Sequence, residues 1–225
     1  FTIDAYQIKI DNRIILTGNL GNDAYGDPVP PLQAIFETYG AQTGRFFTNA
    51  INTTTKGIDF VADYDLNLGA GNLNISLLYN YNKNKVDDTL NSIPAAFVGQ
   101  EDVYFGPQER SLIETNSPLH KGTLALNYGV NKFNFLLRNT YFGEVTRNGF
   151  PFGIEQKHNG KVVTDLSVAY KATSKIQFII GANNLFDVFP DEQVYENSYF
   201  GVFKYAPVQM GTTGAYYFGR ISYRL

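Results

Sequence analysis

Short and long connections alternate along the whole of this chain, and that asymmetry limits the possible folds more than any single motif does. Short turns are expected at residues 11–13, 68–72, 131–132 and 172–175, and long connections at 21–44, 88–118, 148–160 and 187–214. The stretches between them repeat with a period of two. Ile58, Phe60, Ala62, Tyr64 and Leu66 alternate with Asp59, Val61, Asp63 and Asp65, and Leu73, Ile75, Leu77, Tyr79 and Tyr81 alternate with Asn74, Ser76, Leu78, Asn80 and Asn82. Side chains alternate across a pleated strand, so these stretches read as strands with one apolar face. Compact soluble domains join their elements through roughly 4 to 6 residues, which makes four long connections at one end of a meander hard to place in one.

The same asymmetry is expected of an outer-membrane-type barrel, with short turns at one end and long loops at the other. The fold class read from the chain is therefore all-β, an antiparallel up-and-down transmembrane β-barrel, with about nine strands counted from the alternation. Phe1 to Ile10 is the first, with a change of phase between Ile3 and Tyr6 that a bulge near Ala5 would reconcile. Asp11-Asn12-Arg13 is read as a tight turn into a second strand, Ile14 to Leu20. Pro28, Pro30 and Pro31 mark the first long connection, with a short helix around Leu32 to Tyr39. The remaining strands follow to a last hairpin, Ile176 to Asn183 and Ala215 to Leu225, spanned by a long loop from Asp187 to Gly214.

Composition agrees with strands. Sixteen Tyr, eighteen Phe and 21 Gly, without Trp or Cys, suit a pleated aromatic surface and exclude disulfides and thiolate metal sites. No run of eighteen apolar residues is present, but a spanning strand needs only about 9 to 11 residues and hides its apolarity on alternate positions. A mean hydropathy of -0.21 is compatible with that. The apolar faces carry Tyr64, Tyr79, Tyr81, Tyr128, Tyr141, Tyr170 and Tyr223, where a phenol can sit at a headgroup boundary. The opposite faces carry Asp59, Asp63, Asp65, Asn74, Asn80, Asn127, Asn134, Arg138, Asp165, Asn183 and Arg220, which suit an aqueous lumen better than a dry core. A soluble antiparallel sheet packed on a second sheet is the alternative that alternation alone leaves open.

The chain offers little for catalysis. His120 and His158 stand apart, without metal-ligand spacing, and read as solvated rim residues. No nucleophile elbow or phosphate-binding glycine loop occurs, so no catalytic residue, metal or cofactor is expected. The acidic pairs Asp87-Asp88, Glu101-Asp102 and Asp191-Glu192 lack a calcium ligand ladder and read as hydrated charge. A net charge of -3 and a pI near 5.4 give no footprint for nucleic acid. Binding is the better expectation. Tyr104, Arg110, Arg138, Arg147 and Tyr199 are the candidate ligand-binding residues, with Phe105, Tyr195, Phe200 and Phe203 beside them, since aromatics and cations clamp planar or anionic solutes. Packing of the loops on one another is the competing account of the same residues.

At Gly181-Ala182-Asn183-Asn184-Leu185-Phe186-Asp187 the chain resembles the TonB-dependent outer-membrane receptors, whose penultimate strand ends in an Asn-Leu-Phe-Asp signature. Tyr6-Gln7-Ile8-Lys9-Ile10-Asp11-Asn12-Arg13-Ile14, Thr55-Lys56-Gly57-Ile58-Asp59-Phe60 and Glu114-Thr115-Asn116-Ser117-Pro118-Leu119-His120-Lys121 are similar to other pieces of that family's barrel. The end, Tyr223-Arg224-Leu225, departs from the family's usual aromatic terminus. The resemblance implies the C-terminal part of a larger barrel of about 22 strands, with plug domain, TonB box and N-terminal strands outside this chain. It also implies a bacterial outer membrane location, contact with its lipid, and energised uptake of a scarce small molecule, commonly a ferric siderophore, through the TonB complex. A passive or adhesive barrel and a soluble carbohydrate-binding β-sandwich are the rival expectations.

Overall fold

The computed structural model describes residues 1–21, 30–87, 90–91, 93–99, 101–148 and 154–224. Pro28, Asp88 and Leu225 lie outside the described residues. The strands are β1 (Thr2–Leu16), β2 (Phe47–Leu68), β3 (Gly71–Val86), β4 (His120–Val130), β5 (Phe133–Phe142), β6 (Val145–Asn148), β7 (Glu155–His158), β8 (Lys161–Lys171), β9 (Ile176–Asn183) and β10 (Tyr216–Tyr223). Helices α1 (Pro30–Thr38), α2 (Glu101–Tyr104) and α3 (Pro107–Glu114) all lie in long connections. Eight strands form one antiparallel sheet in the order β1-β2-β3-β4-β5-β8-β9-β10, and β6 and β7 make a separate hairpin. The sheet is open, with β1 and β10 at its edges.

Two expectations change. The segments read as two strands, Phe1–Ile10 and Ile14–Leu20, are largely one strand, β1, which runs its whole length along β2. Asp11-Asn12-Arg13 is a bulge, with register shifts between Ile10 and Arg13 and between Arg13 and Ile14. Asn12 takes the left-handed conformation at φ 54°, which suits a turn and a bulge equally. Asparagines from afar settle which it is. The Asn12 N–H donates to Asn52 Oδ1 at 2.9 Å, Asn49 Nδ2 donates to the Asn12 carbonyl at 3.1 Å, and Asn91 Nδ2 donates to Asn12 Oδ1 at 3.0 Å. No bulge occurs at Ala5, because pairing is continuous from Thr2↔Val61 to Ile10↔Thr53.

Merging the first two segments leaves the alternation of loops intact. Leu68 pairs with Gly71 across the Gly69-Ala70 turn, Val130 pairs with Phe133 across Asn131-Lys132, and the Thr173 hydroxyl accepts from the Lys175 and Ile176 N–H groups at the third short turn. Gly69 and Asn131 have φ 61° and 52°, the positive values that tight hairpins require. All three turns lie at one end of the sheet, and residues 17–46, 87–119, 143–160 and 184–215 connect strands at the other.

Register shows which residues share a face. Phe60, Tyr79, Gly122, Tyr141 and Val162 pair in sequence across five strands, and Leu66, Leu73, Tyr128, Phe135, Val168, Ile180 and Gly219 do so across seven. This apolar face has no covering layer among the described residues: Ile180, Tyr217 and Ile221 are 67%, 68% and 72% exposed. Exposed apolar surface on this scale marks an interaction face. From Ile58 to Leu68 the band rises about 33 Å along β2 at roughly 3.3 Å per residue. With the strand tilted about 45°, the height is about 23 Å, close to the apolar band of a transmembrane barrel. The other face satisfies its polar groups across strands. Asn74 Nδ2 donates to Asp65 Oδ1 at 3.0 Å, Ser76 to Asp63, and Arg138 Nε and Nη2 to Asp165 Oδ2 at 2.9 and 2.6 Å.

Candidate functional site at the long-loop end

Above β1 to β3 the long connections build a core of their own. Leu20, Ala50, Ile51, Val86, Tyr104 and Phe105 are buried, with Phe36, Phe46 and Phe97 packed against them. Tyr104 is at its centre with 0% exposure. Its hydroxyl lies 2.9 Å from Thr48 Oγ1, and its ring meets Phe46 and Phe97 at 6.0 and 5.7 Å between centroids. Pro107 opens α3, where its missing N–H costs nothing, and Glu109 Oε2 accepts from the Gly106 N–H at 3.2 Å. Burial raises the Glu109 carboxyl above its ordinary pKa, against the pull of the Glu109 and Gly106 N–H groups and of Arg45 3.6 Å away.

A second cluster joins the β6–β7 hairpin to the last long loop. Asp191 Oδ2 accepts from the Asn159 N–H and Nδ2 at 2.6 and 2.8 Å, while Oδ1 accepts from Lys161 Nζ at 2.6 Å. Gln156 Nε2 donates to the Glu192 carbonyl at 2.7 Å, and its Oε1 accepts from the Val194 N–H at 3.0 Å. Gln209 Nε2 reaches back to the carbonyls of Gly143 and Asn159 at 3.1 and 2.7 Å. His158 lies within this clasp at 2% exposure, so it is not the solvated rim residue expected. Burial lowers its pKa, as do the Arg147 and Lys161 charges, against the opposing influence of Asp191. The imidazole is therefore neutral at pH 7. Burial also disfavours the Asp191 carboxylate, but Lys161 and the Asn159 donors together outweigh it and hold the carboxyl below its usual range. Asp191 is thus the hub of a hydrogen-bonded network and not hydrated charge. Its neighbour Glu192 pairs with Lys204 at 2.8 Å on the surface.

The base of this loop explains the Asn184-Leu185-Phe186-Asp187 motif. Asn184 and Asp187 are both left-handed, at φ 51° and 55°. Asn184 Oδ1 accepts from the Val188 N–H at 2.9 Å while its Nδ2 donates to the Val188 carbonyl at 2.8 Å. The Asn184 N–H donates to Asp165 Oδ1 at 2.8 Å, and the Leu185 N–H to the Thr164 carbonyl at 2.7 Å. The motif turns the chain out of β9 and anchors it to β8.

The loop so held ends in an exposed aromatic turn. Tyr195, Tyr199, Phe200 and Phe203 are 65%, 55%, 63% and 59% exposed. Tyr199 and Phe200 occupy successive left-handed positions at φ 53° and 58°, uncommon for bulky residues and costly at each. Ser198 holds them there: its hydroxyl donates to the Tyr195 carbonyl at 2.6 Å and accepts from the Gly201 N–H at 2.7 Å. The Tyr199 ring lies 5.6 Å from Phe200 and 6.3 Å from Phe203. Two bulky residues are thus held in a strained conformation at an exposed tip by hydrogen bonds around them.

The five candidate residues do not converge. Tyr104 is sealed in the loop core, Tyr199 is in the exposed turn, and Arg138 is on the polar face of β5 in its ion pair with Asp165. Arg110 lies 3.7 Å from Glu114 and stacks 5.8 Å over Phe105. Arg147 is on β6, paired with Gln156 in the hairpin register, and its Nε is buried. Gln156 and Gln209 have no local pattern to mark them, and His158 reads from the sequence as a rim residue and Asp191 as hydrated charge, because the partners in this clasp are 30 to 66 residues away. His120 is exposed and belongs to the outer belt, its Nδ1 2.7 Å from the Tyr79 hydroxyl.

An antiparallel sheet with an uncovered apolar band, a polar inner face and long loops at one end defines a transmembrane β-barrel wall. The sequence profile of the TonB dependent receptor-like β-barrel family matches residues 1–185, and the chain belongs to that family. No curated protein matches it in sequence. Among solved structures it is similar to the FrpB iron transporter of Neisseria meningitidis, at 15% identity and a TM-score of 0.50, covering 98% of this chain and 31% of that one. It is also similar to the ferric-catecholate import receptor Fiu of E. coli K12, at 14% identity and a TM-score of 0.51, covering 99% and 27%. These likenesses concern the fold, and the chain spans about a third or less of each structure's length.

Proposed function

We propose that this chain forms part of the barrel wall and outer loops of a TonB-dependent importer in a bacterial outer membrane. The rest of the barrel, the plug domain and the segment that engages the TonB complex belong to other parts of the working protein. The solute is a scarce one, most simply a ferric siderophore or similar iron complex, and the protein transports it without chemical change. The observation that carries this reading is the turn of Tyr199, Phe200 and Phe203, exposed and strained, on a loop clasped to the β6–β7 hairpin beyond a polar wall. Aromatic faces held rigidly lose little freedom on binding a planar, aromatic-bearing solute.

Uptake of radiolabelled ferric complexes by cells carrying the full-length protein tests it. Uptake is expected to stop when the proton-motive force is collapsed, and to fall with the double variant Tyr199→Ala, Phe200→Ala. Uptake that continues without energy would make the barrel a passive channel. Expression indifferent to iron, with no ferric complex taken up, would overturn the choice of solute.

A further inference from the structure

Just beyond the tyrosine belt the outward face of the sheet changes from apolar to basic. Lys56 on β2 pairs with Lys83 on β3, and Thr54 lies between Lys9 on β1 and Lys85 on β3. Paired residues share a face. These four ammonium groups are therefore on the same side as Ile58, Phe60, Tyr79 and Tyr81, outside the barrel and away from its lumen. All four are exposed, and with Gln7, Thr54 and Tyr81 they line a depression of about 580 Å³.

None of the four has an ion pair among the described residues. The carboxylates on the adjoining depression are engaged. Glu114 Oε1 accepts from the Val86 N–H at 2.6 Å and lies 3.7 Å from Arg110, and Glu144 pairs with Lys157 at 2.8 Å. Lys56 and Lys83 stand directly opposite, an arrangement that repels unless an anion lies between or above them. A patch of four cations in a chain of net charge -3 is a local feature and no consequence of a basic protein.

Position identifies the anion. A tilted strand gains about 2.3 Å of height per residue, so the lysines, two to four residues past Tyr81 and Ile58, stand about 5 to 10 Å above the apolar band. That is the depth of lipid headgroups. We propose that Lys9, Lys56, Lys83 and Lys85 bind the phosphorylated headgroup of an outer-leaflet lipid whose acyl chains lie against the apolar band below. The inference rests on the membrane placement proposed above. It favours a lipid over a free anion because the basic patch continues directly into the apolar band, which gives a soluble phosphate nothing to bind.

The test uses the full-length protein in detergent micelles, with lipid A, a diphosphorylated glycolipid, as the probe. The variant Lys9→Gln, Lys56→Gln, Lys83→Gln, Lys85→Gln is expected to bind lipid A about tenfold or more weakly. A control, Lys132→Gln with Lys175→Gln at the short-turn end, is expected to bind like the parent. Dephosphorylated lipid A should bind the parent as weakly as the intact probe binds the quadruple variant. Equal affinity of parent and quadruple variant would overturn the proposal, and displacement of lipid A by equimolar inorganic phosphate would make this a soluble-anion site instead. Heat-dependent gel mobility reports folding, and if the quadruple variant fails to fold, the pair Lys56→Gln, Lys83→Gln carries the comparison. A parent protein that never inserts into bilayers would overturn the membrane reading itself; one that inserts but shows no difference between variants removes only the lipid site.

Discussion

Asp187 Oδ1 accepts a hydrogen bond from the Ala215 N–H at 2.8 Å, so one side chain joins the two ends of the last long loop across 28 residues of sequence. Asp187 is also left-handed, at φ 55°, a conformation that Asp and Asn tolerate better than most residues. Replacing it by Ala removes the acceptor and that tolerance together. The expected cost is about 1 to 2 kcal/mol of local stability. Hydrogen exchange at the Ala215 amide checks this: it should accelerate in Asp187→Ala, stay near the parent rate in Asp187→Asn, and leave Phe178 and Ile179 in β9 unchanged.

The buried imidazole makes the clasp sensitive to acid. The pKa of His158 is lowered in the folded protein, so protonation favours the opened loop. The His158 contribution to stability is complete above the unfolded value of about 6.5 and is lost as pH falls from there through the lowered folded value. Exchange protection of residues 191–203 should drop across that window, while protection of β2 and β3 holds. His158→Gln should abolish the step near neutrality. Asp191, held low, adds a second loss only in more acid solution, below about pH 4.

Strain and capture separate in the aromatic turn. Phe200→Gly removes a bulky side chain from a left-handed position, so the loop should be as stable or more stable by about 1 kcal/mol. Affinity for the proposed ferric solute should fall about tenfold through loss of the ring. A calorimetric titration of the full-length protein with the ferric complex proposed as its solute distinguishes the two effects. Unchanged affinity would assign Phe200 to loop packing alone.

Within the wall, the Tyr6 ring lies over Gly57, its cross-strand partner, where any Cβ would meet the ring, and the Tyr6 hydroxyl accepts from Asn82 Nδ2 at 2.9 Å. Gly57→Ala should displace the ring and that hydrogen bond, lowering the unfolding temperature by the equivalent of about 1 to 2 kcal/mol. Combined with Tyr6→Ala the cost should be less than additive, since the clash disappears with the ring. Heat-dependent gel mobility of the four members of the cycle measures it.

The alternation of Phe60 with Asp59 and Asp63, the turns at Gly69 and Asn131, and the Asn-Leu-Phe-Asp motif are short-range signals, and they alone carried the barrel class, the long-loop asymmetry and the family. A period of two needs only neighbouring residues, and the positive φ of a turn needs only the right residue at one position. Asp11-Asn12-Arg13 shows where such signals stop. Asn12 serves a turn or a bulge equally well, and partners on Asn49, Asn52 and Asn91 decide for the bulge. The burial of Tyr104 and His158 and the β6–β7 hairpin were decided the same way, by loops meeting loops. Nor does any one strand reveal the lysine patch. Lys9, Lys56, Lys83 and Lys85 are spread over 77 residues of chain, and only pairing in register puts them on one outward face. From β2 onward, which face a strand of the sheet presents was written in its own residues, whereas the register of β1 on β2 turns Tyr6, Ile8 and Ile10 to the polar side; which side chains meet was decided by contacts between distant segments, which leave no local periodicity to read.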